Sequence, residues 1–312
     1  MPEKELAKAL HQLREAALGT LWRQWGALGA AIAGEGPTRS IVDPEGLVLV
    51  SLSLAEEERR LWDVLYWWVK VGAPLLSVQR IKNLAVRFPE STRGRLGVFA
   101  HLAHREGRDF RWRSLESSSP GKTIRSGKSL GRDPQLHHPA ALMLRLRVGL
   151  GVGVKADLVA FLLATGGVWV TVKGIAEGLS YTPRAIHRAV DDLVAARFIQ
   201  ATTGTPAAYR ADSMAWAPLL ESSGKPPAWR YWPPVFALVA DLAAWAGGEG
   251  ALPKTTAYVL SSRARDLVER HRIAFARNQI KIPSPEDYPG EKYLQPFEET
   301  LRRLALWLAE SA

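Results

Sequence analysis

The chain contains no cysteine among its 312 residues. Disulfide bonds, zinc sites built on thiolates and cysteine nucleophiles are therefore excluded, and the composition fits a reducing compartment such as the cytoplasm. Long apolar runs are also lacking, because no stretch approaches the roughly 18 residues that span a bilayer. The N-terminus opens on a charged amphipathic run and not on a signal peptide. We therefore predict a cytoplasmic protein that is not inserted in a membrane.

Motifs of catalytic and cofactor sites are scarce. The Gly-Lys-Thr tripeptide at 121–123 is similar to the end of a phosphate-binding loop, but Glu116 stands where the first glycine belongs. His101 with His104, and the His-His pair at 137–138, lack the carboxylates or thiolates that complete a metal site. We predict no enzymatic activity, no cofactor and no bound metal.

Positive charge is concentrated in one part of the chain. Residues 77–147 hold 15 Lys and Arg against 5 Asp and Glu, so their net charge of +10 equals that of the whole chain. Phosphate neutralisation supplies most non-specific affinity for nucleic acid. Residues 113–139 within this region are rich in Ser, Gly, Pro and basic residues, which predicts a linker. It is either a soluble connection or a strap along a phosphate backbone, through Lys122, Arg125, Lys128 and Arg132.

Residues 153–212 have the spacing of a helix, a short strand, two helices joined by a tight turn, and a hairpin. The first helix carries apolar residues on one face and ends at Gly166. Residues 168–170 suit a strand, and Thr171 can cap the second helix. The hairpin is predicted from strands at 198–202 and 207–211, which a Thr-Gly-Thr-Pro turn joins.

The third helix of this segment is predicted to begin at Pro183. Thr182 is a good N-cap, and proline suits the first helical position because its missing N–H would have no partner there. One side of the helix is apolar, whereas the opposite side is polar and carries Arg184, His187, Arg188 and Asp191. Arginine offers a planar fork of donors that matches guanine or a phosphate, and a major groove admits one helix.

The segment, with its core VTVKGIAEGLSYTPRAIHRAVDDLVAARFI, resembles the winged helix-turn-helix transcriptional regulators of the MarR and ArsR kind. The resemblance covers about sixty residues. It implies that the third helix enters a major groove while the hairpin, or wing, lies beside the backbone. More loosely, DPEGLVLVSLSL, RLWDVLYWW and SVQRIKNL resemble uncharacterised bacterial helix-turn-helix proteins, some of which accompany nucleotidyltransferase toxins of the AbiE kind.

We therefore predict a sequence-specific, double-stranded DNA-binding transcriptional regulator, a homodimeric repressor that occludes a promoter. The alternative is a protein-interaction module, such as an antitoxin or complex subunit whose winged domain binds a protein partner. The predicted DNA contacts are Lys173, Tyr181 and Thr182 with phosphates, Arg184, His187 and Arg188 with bases, and Thr203, Thr205 and Arg210 beside the minor groove.

The predicted fold class is mainly α, with an internal winged helix-turn-helix domain at 140–220 between helical domains at 1–112 and 221–312. Helices are predicted at 3–32, 56–71, 91–106, 234–246, 255–278 and 291–310. The basic residues Arg80, Lys82, Arg87, Arg93 and Arg95 either contact phosphates from a second, degenerate helix-turn-helix or form a solvated face. Large aromatic residues are predicted to pack a core or a dimer seam, namely Trp229, Trp232, Trp245 and Trp307.

Overall fold

The computed structural model describes residues 2–32, 36, 38–116, 131, 133–220, 227–247 and 256–312. This part of the chain is mainly helical, as predicted, and contains a small three-stranded antiparallel sheet. None of the helices within these ranges combines the length and the apolar character that a membrane span needs.

The N-terminal helices are α1 (Pro2–Ala27), α2 (Pro44–Leu54), α3 (Arg60–Val71), α4 (Val78–Ala85) and α5 (Glu90–Arg105). N-cap side chains explain where two of these helices, α2 and α4, begin. Asp43 accepts a hydrogen bond from the Gly46 amide at 2.9 Å, and Ser77 accepts one from the Arg80 amide at 3.2 Å. Short 3-10 helices at Ala73–Leu75 and Phe110–Leu115 follow α3 and α5.

The C-terminal helices are α11 (Trp232–Gly247), α12 (Ala257–Arg270), α13 (Arg272–Arg277) and α14 (Leu294–Ser311). The predicted single helix at 255–278 is wrong, because the chain leaves helical geometry at His271, with φ −104° and ψ 20°. The His271 imidazole is within 2.7 Å of the Asp241 carboxylate on α11, and this contact fixes the break against the core.

The N-terminal and C-terminal helices share one hydrophobic core. Helix α14 packs along α1, and α11 packs along α2, so the two flanking regions that we predicted as separate domains bury their apolar residues in a common cluster. Trp232 is fully buried, with ring centroids 5.1 Å from Phe236 and 5.2 Å from Trp307. Trp232 therefore packs the core and offers no surface to a dimer seam.

A second hydrophobic cluster lies between these regions in sequence. It is built on α6 (Leu142–Leu150), α7 (Val154–Ala164), α8 (Val172–Leu179), α9 (Pro183–Ala195) and α10 (Ser213–Trp216). Strands β1 (Val170–Thr171), β2 (Gln200–Ala201) and β3 (Ala208–Arg210) form the sheet in the order β1-β3-β2. The first strand is shorter than predicted, because Val168 and Trp169 remain exposed and outside the paired register.

Most of the predicted basic linker falls outside the described residues. Residues 117–130 and 132 are not described, so Lys122, Arg125, Lys128, Arg132 and the Gly-Lys-Thr tripeptide lie outside the described part. The start of the predicted linker, at Arg113 to Leu115, instead belongs to the 3-10 helix at Phe110–Leu115, whose Trp112 is fully buried.

Candidate nucleic-acid interface

Helix α9 carries the residues that we predicted to contact bases. The Thr182 hydroxyl caps the helix by accepting a hydrogen bond from the Ala185 amide at 3.3 Å, as the sequence predicted. The apolar side of α9 is buried, with Ile186 and Val190 fully inaccessible to solvent. The opposite side is exposed and presents Arg184, His187 and Arg188.

The cations of this exposed side have no partners among the described residues. Neither Arg184 nor Arg188 makes a hydrogen bond or an ion pair there, and Lys173 in the first turn of α8 is likewise exposed and unpaired. Asp192, at the other end of α9, pairs with Lys155 across 2.8 Å. Part of the acidic charge of α9 is thus neutralised, whereas its basic charge remains available to an anion.

Arg210, the arginine of the predicted wing, contacts two other side chains, Gln200 and Trp169. The Arg210 Nε donates to Gln200 Oε1 at 2.7 Å, and the guanidinium lies 4.6 Å from the Trp169 ring centroid. Thr203 and Thr205 are exposed in the turn between β2 and β3. Arg210 is therefore partly engaged, while the two threonines are free to meet a ligand.

Tyr181 does not suit the phosphate contact that we predicted. Its hydroxyl donates a hydrogen bond to Asp157 Oδ2 at 2.8 Å. Burial, together with the negative charge of Asp157, raises the pKa of the Tyr181 phenol, so the hydroxyl stays protonated as a donor. Tyr181 thus points into the protein, where it joins a buried group of charged side chains.

That group is a fully buried ionic network of two arginines and three carboxylates, namely Arg80, Arg147, Asp43, Glu45 and Asp157. Arg80 forms a bidentate pair with Asp43 and donates to Glu45 Oε2 at 2.6 Å. Arg147 donates to Glu45 Oε1 at 2.6 Å and to Asp157 Oδ1 at 2.7 Å. The network therefore runs from the start of α2 and α4 through α6 to α7.

Attraction to the two arginines lowers the pKa of Glu45 by more than burial of its carboxylate raises it. Burial by itself would raise the pKa of Glu45, but the charges of Arg147 and Arg80 and the hydrogen bonds to the carboxylate lower that pKa to about 2. Both arginines have pKa values above the usual range, because the carboxylates around them offset their own burial. Glu45 and both arginines are consequently ionised at neutral pH.

The network also attaches the turn between α8 and α9 to helix α4. Arg80 Nε donates to the Leu179 carbonyl at 2.8 Å, and Asn83 Nδ2 donates to the Ser180 carbonyl at 3.5 Å. These carbonyls end α8, where Ser180 adopts a left-handed conformation with φ 59°. Carbonyls at a helix end lack intrahelical partners, so α4 supplies the donors that this turn needs.

Three of the five basic residues predicted as possible phosphate contacts near α4 are engaged within the protein. Arg80 is fully buried. Arg93 donates to the Phe88 carbonyl at 3.2 Å, and Arg95 donates to the Leu52 carbonyl at 3.1 Å. Arg80 and Arg95 suit neither alternative, because their guanidinium groups satisfy carbonyl groups or carboxylates that the fold brings to them, whereas Arg93 is exposed, as a solvated face requires.

Two of the histidines considered as metal ligands lie close to one glutamate. His104 and His101 both approach Glu116, with His101 Nδ1 at 3.5 Å from Glu116 Oε2. Across the described ranges, no group of three or more potential ligands is placed to hold a metal ion.

Sequence reasoning missed the network, although a signal was present. Glu45, Arg147 and Asp157 stand in otherwise apolar helices, within PEGLVLVSLSL, LMLRLRVGL and VKADLVAFLLA. A charge inside an apolar run that is long enough to be buried needs an opposite charge from elsewhere in the fold. The three runs together therefore indicated that buried partners exist, but not which residues meet.

Comparison with known proteins adds no relative. No family model, no curated protein and no solved structure matches the chain.

Proposed function

We propose that residues 140–220 form a winged helix-turn-helix and that the protein is a sequence-specific regulator that binds double-stranded DNA through α9. The observation that carries the proposal is the exposed side of α9, where Arg184, His187 and Arg188 have no partner within the described residues. The sheet order β1-β3-β2, with α8 and α9 between β1 and β2, supports it, because the chain passes from α9 directly into the β2–β3 hairpin.

The contacts follow from the chemistry of each side chain. Arg184 and Arg188 offer guanidinium forks to guanine edges, and His187 lies between them on the same stripe. Lys173 and the amide end of α9 at Thr182 meet phosphates on one side of the groove. Thr203 and Thr205 lie beside the minor groove, with Arg210 held behind them.

A homodimer of this chain would act as a repressor by occluding a promoter. Two recognition helices reach successive half-sites when they lie about 34 Å apart, one turn of DNA. We therefore expect an operator with two-fold symmetry. This proposal places the protein on the cytoplasmic nucleoid.

The test is binding to a labelled duplex from the upstream region of its own gene and to an unrelated duplex, from about 50 to 200 mM salt. Preference for the upstream duplex that survives high salt supports the proposal.

Arg188→Ala should weaken specific binding by about 1 to 3 kcal/mol. Arg263→Ala is the matched control, because Arg263 is an exposed cation on α12 that pairs with none of the described residues. Equal losses in both variants would argue against base contact by Arg188.

A second candidate function is protein binding, and exposed apolar residues favour it. Met214 and Leu219 are 79% and 70% exposed, and Phe198, which is 41% exposed, packs edge-on to Trp216 at 5.5 Å. Exposed apolar residues in one region are typical of protein interfaces. A winged domain that binds a toxin or complex subunit through this region would show little salt-dependent affinity for any duplex.

A further inference from the structure

We infer that the DNA-binding surface extends from α9 onto the N-terminal helices, where Lys82, Arg87 and Arg113 form a second phosphate-contact surface. We call these three residues the flank patch. The inference rests on the proposed function, because it assigns further contacts to the same duplex. It concerns residues outside the winged segment, and they would add affinity without adding sequence preference.

Helix α4, which carries Lys82, is hydrogen-bonded to the turn that precedes α9. Arg80 and Asn83 on α4 donate to the Leu179 and Ser180 carbonyls, at 2.8 and 3.5 Å. Lys82 lies on α4 next to Asn83 in sequence, and Arg87 lies in the turn that follows the last residue of α4, Ala85. The segment that carries Lys82 and Arg87 is thus joined, through Arg80 and Asn83, to the turn that leads into α9.

Arg113 is connected to this segment through a contact of the residue that follows it. Lys82 Nζ donates to Ser114 Oγ at 2.8 Å, which brings the 3-10 helix at Phe110–Leu115 against α4. Arg113 precedes Ser114 and is exposed. The Lys82–Ser114 contact therefore connects the 3-10 helix that carries Arg113 to α4, which is in turn bonded to the α8–α9 turn.

The charges of the flank patch are not neutralised within the described residues. Lys82 has only the neutral Ser114 hydroxyl as a partner, and Arg87 and Arg113 have neither an ion pair nor a side-chain hydrogen bond there. Their neighbours Arg80, Arg93 and Arg95 are all engaged. Of these six basic residues, three are thus engaged in the fold, and three have no anionic partner within the described residues.

The buried ionic network keeps this arrangement in place. Arg80 connects α4 both to the α2 carboxylates and to the α8–α9 turn, and Tyr181, next to that turn, is bonded to Asp157. A helix that enters a major groove brings the protein beside its N-terminus close to the flanking phosphate backbone. The flank patch meets that backbone while α9 occupies the groove.

The experiment measures the salt dependence of duplex binding by the full chain and by the triple variant Lys82→Gln, Arg87→Gln, Arg113→Gln. The slope of log K against log salt is negative, and each lost phosphate contact reduces its magnitude by about 0.9, so the magnitude should decrease by about 2.7 in the variant. When salt rises from 50 to 200 mM, the factor by which the duplex affinity of the wild-type chain decreases should be about 40 times the factor for the variant. The preference for the upstream duplex over an unrelated one should stay unchanged.

The matched control is Lys4→Gln, Lys8→Gln, Arg263→Gln, which removes the same charge from exposed residues that have no ion pair within the described ranges. These lie on α1 and α12, helices that pack against α14. The control substitutions should reduce the magnitude of the salt slope by less than about 1. If the flank variant and the control have the same slope while the wild-type chain binds DNA, the flank patch is overturned and the proposed function stands. A wild-type chain that binds no duplex overturns both.

Discussion

Replacing Arg147 with methionine should destabilise the protein strongly, since methionine keeps much of the volume but removes the charge. The Arg147 side chain donates five hydrogen bonds, four to Glu45 and Asp157 and one to the Leu75 carbonyl. Removing one partner of a buried ionic pair leaves an uncompensated charge and costs about 3 to 5 kcal/mol. We expect a loss of that size in the free energy of unfolding at pH 7.

The pKa of Glu45 gives an independent magnitude. A carboxylate whose pKa falls from 4.5 to about 2 on folding contributes about 3 kcal/mol of stability at neutral pH. Because the folded pKa is the lower one, this contribution is complete above the unfolded pKa and is lost as pH falls from 4.5 towards 2. The deficit of Arg147→Met, which removes the largest attraction on Glu45, should therefore shrink over that interval.

Urea unfolding, followed by tryptophan fluorescence and circular dichroism from pH 7 to pH 3, measures both effects. Arg145→Met is the control on the same helix, because Arg145 donates to the Leu220 carbonyl at 2.8 Å and pairs with no carboxylate in the described part of the chain. It should cost about 1 kcal/mol or less. The reasoning is refuted if Arg147→Met is no more destabilising than Arg145→Met, or if its deficit is the same at all pH values.

Two further substitutions probe the packing and polarity around α8 and α9. Gly178→Ala should cost about 1 to 3 kcal/mol in thermal or urea unfolding, because the new Cβ would lie 2.7 Å from the buried Phe161 ring. Gly149→Ala, with no atom within 4 Å of its Cβ, should be neutral or stabilising; equal effects would contradict the steric argument. Tyr181→Phe should lower stability by about 2 kcal/mol through loss of the hydrogen bond to Asp157. Duplex affinity and its salt slope should not change, and a reduced slope would restore Tyr181 as a phosphate contact.

Local structure in the winged segment was predictable because it depends on neighbours in sequence. Thr171 and Thr182 cap α8 and α9, and Pro183 occupies the first position of α9, as their residue types indicate. The side of α9 that is buried also follows from its 3.6-residue period. Glycines at 151 and 153 separate α6 from α7 with positive φ angles, which only glycine adopts readily.

The partners of the charged residues depended on contacts between distant parts of the chain. Arg80 and Arg87 look alike in a basic stretch, yet the first is fully buried against Asp43 and Glu45 and the second is exposed. The sequence by itself determined where helices begin, which faces are apolar and where positive charge accumulates, because these follow from local geometry and composition. Only the tertiary structure decided which arginines are buried in ion pairs and which remain exposed without a partner in the described residues. The reason is that a buried charge is compensated by groups that are distant in sequence but within hydrogen-bond distance in the fold.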